Sequence, residues 1–392
     1  MRLLSIVVVL GVNAYSITLD DIIANAKQPR LLEKALDAEE LALESSSLAN
    51  RETAPLVYNQ SLSQNQGAGE SGVEYEISFS KEFKLGNISS LEYKANQLNN
   101  QAYILEEKQK IYSYNNYLKN LYHNYCLDRE YLNSFITGVE KFKQLYSKKE
   151  HAYREDEIAK MELLQLDLEK QRLDSELNSL MQKHKNAKEQ LLGLTTLESS
   201  DEVFCQDIYP IVKDVIVDEN SFSLTQEAYN KRIESRQIEL KRYSQKIESF
   251  DVAMGYTKEL DRDIYTISLS LPLNFSTKKS EYKRASILHQ TSALTIQKDY
   301  KIQQKLSEVE LLQKRLDESF QEIVAQDALV LNYTENLLPL IKKSYKYGES
   351  SVIEYLLSQQ KLYTLQQELL EKKRGYYRTL FRLYSLRETK DI

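Results

Sequence analysis

The residues best able to do chemistry in this sequence are two cysteines, Cys126 and Cys205, and four histidines, His123, His151, His184 and His289. The cysteines form no C-x-x-C pair, and neither stands just after the N-terminal apolar run, where a lipid-accepting cysteine would be. A disulfide between them is open to a chain in an oxidising compartment, but their separation and placement on different elements do not favour it. No two histidines share metal-ligand spacing, so all four read as polar residues of helix surfaces and no metal site is expected. Carboxylates are many but recur at helix-surface spacing. There is no Ser-His-Asp pattern on a strand-to-helix turn, no G-x-G-x-x-G, no Walker loop and no H-E-x-x-H, so neither an enzyme nor a cofactor site is expected. The 52 basic and 58 acidic residues are interspersed and sum to a net charge of −6, which leaves no basic face for nucleic acid.

The elements that would position working side chains come in two copies. The alternating segments Tyr75-Glu76-Ile77-Ser78-Phe79-Ser80 and Tyr265-Thr266-Ile267-Ser268-Leu269-Ser270 match at one offset. Glu92-Tyr93-Lys94 matches Glu281-Tyr282-Lys283, and Tyr153-Arg154-Glu155-Asp156-Glu157 with Glu162 matches Tyr345-Lys346-Tyr347-Gly348-Glu349 with Glu354. Anchors that keep one order and nearly one offset over half a chain mark an internal repeat. The copies are read as residues 17–200 and 221–392, with 201–220 as linker. Residues 1–16 read as a secretory leader: Arg2, the apolar run Leu3 to Leu10, then Ala14-Tyr15-Ser16 with cleavage after Ser16. The mature chain is therefore expected outside the cytoplasm. No later stretch approaches the roughly 20 apolar residues of a spanning helix, which leaves the β-barrel as the form of membrane residence.

Each copy reads as short strands followed by very long helices, a fold mainly α with a small β part. A helix is expected from Ile17 to about Arg51, then a strand over Leu56 to Ser63, a loop over Gln64 to Gly72, and a strand over Val73 to Phe83. The second copy repeats this as a hairpin, Phe250 to Tyr256 and Tyr265 to Leu273. One face of these strands carries Ile77, Phe79, Ile267, Leu269 and Leu271 and the other is polar, as for strands with a lipid-facing side. Few glycines and prolines mean few turns. Every seventh residue from Leu288 through Thr295, Ile302, Val309, Leu316, Ile323, Val330 to Leu337 forms a nearly unbroken apolar column. The returning helix carries two adjacent columns, Tyr355, Leu362, Leu369, Tyr376, Leu383 and Leu356, Tyr363, Leu370, Tyr377, Tyr384; in the first copy Leu166, Leu173, Leu180, Ala187 and Leu194 do likewise. Gly348 marks the turn between the second pair of helices, with Ser350 or Ser351 capping the outgoing one, and Pro339 is expected to kink the approach. Asp156 replaces the glycine in the first copy, where a less regular turn is expected.

Four strands cannot close a barrel, and open edges are not tolerated in hydrocarbon. Three copies would supply twelve strands, an even number within the range of outer-membrane barrels, and twelve helices for a tube continuing it. A homotrimeric conduit follows, with a secreted coiled-coil protein as the alternative.

On these features, and on the return motif Tyr345-x-x-Gly348-x-x-x-Val352 followed by Glu354, Leu356 and Gln360, the chain resembles the TolC-like outer membrane efflux proteins of Gram-negative bacteria. The resemblance implies a trimeric β-barrel in the outer membrane lipid, an α-helical barrel in the periplasm, and docking to a periplasmic adaptor and an inner-membrane transporter. The segment Phe79 to Gly86 is similar to heavy-metal efflux members, which favours a metal-cation pump of the resistance-nodulation-division type over drug efflux or type I secretion. It also implies a gate at the periplasmic tip, with Tyr345 as gate tyrosine and Glu354 as an acidic ring. Carboxylates repeated around a threefold axis would focus a negative potential that attracts cations. Tyr153, Asp156, Glu157, Gly348, Glu349 and Ser350 are the expected tip-turn and adaptor-docking positions.

Overall fold

The computed structural model describes residues 16–52, 54–66, 71–198, 202–213, 215, 222–245, 247–272 and 278–388. Apart from Ser16, the expected leader lies outside the described residues, as do Leu273 and parts of the expected loop and linker. The elements are β1 (Ser16–Ile17), α1 (Leu19–Ala24), α2 (Lys27–Arg51), β2 (Val57–Gln66), β3 (Ser71–Lys84), α3 (Ile88–Arg154), α4 (Lys160–Gly193), β4 (Glu202–Val203), α5 (Ser223–Arg242), β5 (Ser249–Lys258), β6 (Asp263–Ser270), α6 (Lys279–Asn332), a π-helical turn (Tyr333–Leu337), α7 (Leu338–Lys346) and α8 (Val352–Arg387). The fold is mainly α with a small antiparallel sheet. The single helix expected from Ile17 is divided: Thr18 and Asp21 form a reciprocal cap that opens α1, and Ala26 pairs with Thr195 before α2 begins. Pro339 sits in the first turn of α7, directly after the π-helical turn, so the missing N–H coincides with the irregularity in the helix.

The chain forms two compact units, each drawing on both repeats: Glu33–Gln109 with Phe222–Gln304, and the remainder. The first of these contains the sheet, in strand order β2-β3-β5-β6, every neighbour antiparallel. Its register sets Tyr58, Phe79, Met254 and Ile267 in one row and Gln60, Ile77, Tyr256 and Tyr265 in the next. The period of two therefore gathers the apolar side chains of all four strands on one face. That face is uncovered, with Tyr265 80%, Ile267 81% and Leu269 61% exposed. Strands β2 and β6 are each paired on one side only among the described residues. Beside the sheet, α3 and α5 pack through Leu91, Ala95, Leu98 and Ile238. Glu92 accepts from both Lys84 (3.1 Å) and Arg242 (2.7 Å), tying the end of β3 to both helices.

The other unit is helical. On α6 the expected column is buried at Val309, Leu316 and Ile323, but Leu288 and Leu337 are exposed. Leu312, three residues after Val309 and four before Leu316, lies on the same helix face and is buried with them. Both columns of α8 are buried apart from half-buried Tyr355. Gln326 Nε2 donates to the Leu365 carbonyl at 3.1 Å and to Glu368 at 3.0 Å, fixing α6 against α8.

The segment following α4 is a strap rather than a free linker. Its β4 pairs in parallel with β1. Tyr122 and Tyr377 donate their hydroxyls to the carbonyls of Phe204 and Tyr209, both at 2.6 Å, and Tyr376 donates to that of Val212 at 2.9 Å. An extended segment exposes backbone groups that need partners, and tyrosine supplies them from an apolar helix face where phenylalanine cannot. This gives a physical reason for tyrosine at these helix positions.

Two expectations are corrected in this unit. Cys126 and Cys205 form a disulfide with their Cα atoms 5.6 Å apart, because the strap brings residues 79 positions apart together. His123 is not on a helix surface but fully buried among Tyr122, Tyr209, Tyr377 and Phe381. Its Nδ1 donates to the Lys119 carbonyl at 2.7 Å and its Nε2 accepts the Tyr209 N–H at 2.9 Å, an arrangement that requires the neutral ring.

Burial pushes the His123 pKa down to about 4, against opposition from the Lys119 carbonyl. An unfolded histidine titrates near 6.5, so unfolding takes up a proton between these values and stability falls as pH drops through that window. The full loss is about 3 kcal/mol. Urea midpoints measured from pH 7 to pH 4 should show it, and His123→Gln, neutral throughout, should flatten the slope.

Candidate functional site

The candidate site lies where the two helical pairs turn: the end of α3 and start of α4, and α7 with the start of α8. Helix α3 ends at Arg154, and Asp156 adopts φ +59°; helix α7 ends at Lys346, and Gly348 adopts φ +76°. In the first turn Asp156 N donates to Tyr153 O (3.1 Å) and Glu157 N to Ala152 O (2.8 Å). In the second, Gly348 N donates to Tyr345 O (3.1 Å) and Glu349 N to Ser344 O (3.0 Å). Both are the same left-handed helix stop, with its paired bonds back into the last turn. The expectation of a less regular first turn is thus corrected: aspartate tolerates the left-handed region better than most residues and takes the place of glycine.

The starts of the outgoing helices differ. Ala159 precedes α4 without a side-chain cap, whereas Ser351, not Ser350, caps α8. Glu354 N donates to Ser351 Oγ (3.2 Å) while Ser351 N donates to Glu354 Oε2 (3.0 Å). Glu354 is exposed and its carboxylate is engaged in this box, which holds it at the first turn of α8 where the helix dipole favours an anion.

Tyr345 is drawn into a different cluster. Its hydroxyl donates to Glu162 Oε1 at 2.9 Å, the same oxygen that receives Lys149 Nζ at 2.9 Å. The Lys149 ammonium stands 4.9 Å from the Tyr345 ring centre, and Tyr355 stacks on Tyr345 at 5.1 Å. Burial, then the neighbouring Glu162 carboxylate, pushes the phenol pKa well above its ordinary value, so the hydroxyl stays a donor. Farther along, Glu169 is buried and takes Arg172 (2.7 Å) and Gln360 (3.0 Å), while Tyr363 packs on Phe135 at 4.9 Å. The Gln360 bond ties α8 to α4 behind the turns, and the Tyr363 ring ties α8 to α3.

The structure therefore brings Tyr345 together with Glu162, its repeat-mate's acidic residue, and separates it from the Glu354 cap. Lys149 and Tyr355 were not foreseen as site residues. The repeat match of Glu162 with Glu354 was the sequence signal that pointed near them. Beside the second turn is an open groove of about 890 Å³ lined by Leu340, Ile341, Lys343, Tyr347, Glu349 and Glu354 among others. Tyr153, Asp156 and Glu157 lie at the first turn, and Ser350 borders the groove with its hydroxyl buried. Among the described residues no helix is long and apolar enough to cross a membrane.

A four-stranded antiparallel sheet joined to paired long helices, with matched turns in two repeats, is the fold of outer-membrane channel proteins. The structure of CusC, reported in connection with transmembrane channel formation, is similar over 94% of this chain and 90% of that one, with a TM-score of 0.73 at 14% identity. The Campylobacter jejuni CmeC outer membrane channel aligns over 95% of this chain and 87% of its own, with a TM-score of 0.70 at 13% identity. The Neisseria gonorrhoeae MtrE outer membrane channel in its open state aligns over 94% and 88%, with a TM-score of 0.67 at 13% identity. At these identities the likeness is one of fold. No family model matches the sequence, and no curated protein is similar to it.

Proposed function

We propose that this chain is the outer-membrane subunit of a tripartite efflux pump, a passive, gated exit duct rather than an enzyme. The observation that carries the reading is the sheet. Among the described residues it has an uncovered apolar face and two edges without a paired strand, a combination that water penalises and a lipid-embedded barrel of about twelve strands from three copies would satisfy. The helical elements would continue the duct into the periplasm. The groove beside Gly348, Glu349 and Ser350, with the first turn at Tyr153, Asp156 and Glu157, would receive the periplasmic adaptor. An inner-membrane transporter of the resistance-nodulation-division type would supply the energy. Metal cations are the favoured cargo, on the resemblance of Phe79 to Gly86 to heavy-metal members and on the exposed Glu354 carboxylate.

Within this reading the bond from Tyr345 to Glu162 holds the gate shut. A hydrogen bond to a charged partner contributes about 1.5 to 3 kcal/mol, so its loss should raise the open-to-closed ratio about tenfold or more. Purified protein in planar bilayers provides the test. Tyr345→Phe, which keeps the stacking on Tyr355, should raise resting conductance, and Glu354→Gln should lower cation preference. Conductance and selectivity unchanged in both variants would remove the gate assignment, and a protein that forms no channels would remove the duct.

A further inference from the structure

We propose that this chain is a substrate of an extracytoplasmic thiol oxidant, a protein carrying a disulfide it can donate, and that oxidation of Cys126 and Cys205 precedes assembly. The proposal rests on the exported location argued above. It starts from what the bond joins. Cys126 lies in a cluster built from four separated stretches of chain: Ile17 to Ala26, the middle of α3, Leu191 and Leu192 at the end of α4, and Val203 in the strap. The strap's only regular structure among the described residues is β4, two residues long. A two-residue strand is far shorter than an ordinary one, so the strap rests on the side-chain bonds from Tyr122, His123, Tyr376 and Tyr377 and on its covalent tie to Cys126, which makes a ring of the end of α3, its turn and all of α4. The disulfide closes that ring, and closure removes more freedom from the unfolded chain the longer the loop.

Cys126 is 2% exposed while Cys205 in the strap is only partly buried, so an oxidant meets Cys205 first and Cys126 completes the bond from inside the cluster. With only two cysteines in the chain no wrong internal pairing exists, and the misoxidised product is a covalent dimer of two chains.

The chemistry balances with the oxidant named. One cysteine thiolate attacks the oxidant's disulfide and forms a mixed disulfide, releasing one thiolate on the oxidant. The second cysteine thiolate then attacks the chain's sulfur of that mixed disulfide and expels the oxidant's other sulfur. The chain's two thiol protons and two electrons pass to the oxidant, which leaves as a dithiol.

The experiment uses the full-length protein expressed in Gram-negative cells, with and without their extracytoplasmic thiol oxidase, and a thiol-reactive maleimide polymer as probe. From oxidase-competent cells, protein in the membrane fraction should take up no label before reduction and two labels after it. Without the oxidase the assembled form should fall about tenfold, with free thiols and covalent dimers appearing, and added cystine should restore it. Cys126→Ala with Cys205→Ala should assemble poorly in both strains and melt roughly 5 to 10 °C lower. Free thiols in assembled wild-type protein, equal assembly without the oxidase, or a double variant equal to wild type in yield and melting would each overturn the proposal. Membrane fractionation of the same samples separates this outcome from failure of the duct reading, since an oxidised chain that needs no detergent refutes only the latter.

Discussion

Leu316→Asp is expected to destabilise the protomer by about 4 kcal/mol or more, the loss of a buried leucine compounded by a carboxylate with no partner. Leu316 is 1% exposed, between Val309 and Ile323 and one turn from Leu312, all buried, and α8 lies against this stretch through the Gln326 bonds to Leu365 and Glu368. Thermal or denaturant unfolding of the detergent-solubilised chain measures the effect. Leu337→Asp is the comparison: the same column, but a side chain 45% exposed within one chain. It should leave protomer stability nearly unchanged and reduce only the oligomer seen in mild detergent, if copies of the chain cover it. Equal unfolding midpoints for wild type and Leu316→Asp would mean that the core between α6 and α8 is not formed in solution.

Leu269→Arg is expected to cost about 2 to 4 kcal/mol of membrane stability if its strand face meets lipid near the bilayer midplane. Leu269 shares its row with Val252 and Lys81, next to the row of Ile267, Met254, Phe79 and Tyr58. The substitution should lower the amount of assembled protein in the outer membrane, while Ser268→Arg, on the polar face one residue away, should be mild. A period of two makes the pair discriminating, since adjacent residues occupy opposite sides of the sheet. Equal tolerance of the two changes would count against lipid contact and for a sheet solvated on both faces.

Much of the local architecture was legible in the residues because it depends on short-range pattern. Alternation over Tyr75 to Phe79 and Tyr265 to Leu269 placed β3 and β6 and their apolar faces. Columns at a period of seven placed the buried face of α8 almost residue by residue. The turn at Gly348 was readable because few residues other than glycine adopt a positive φ. Aspartate can also do so, which is why the turn at Asp156 proved regular against expectation. The column on α6 was legible as a column, but where along it one chain supplies its own cover was not.

The sequence by itself determined the periods, the repeat, and therefore which side of each strand and helix is apolar, because these follow from backbone geometry over a few residues. Only the tertiary structure decided which distant residues meet. It placed Cys205 on Cys126, the Tyr209 N–H on His123, and the Tyr345 hydroxyl on Glu162 across 183 positions of chain. The reason is that a residue's partner across a long loop is chosen by the path of the whole chain and the competition of all buried groups for bonds. No local spacing encodes either.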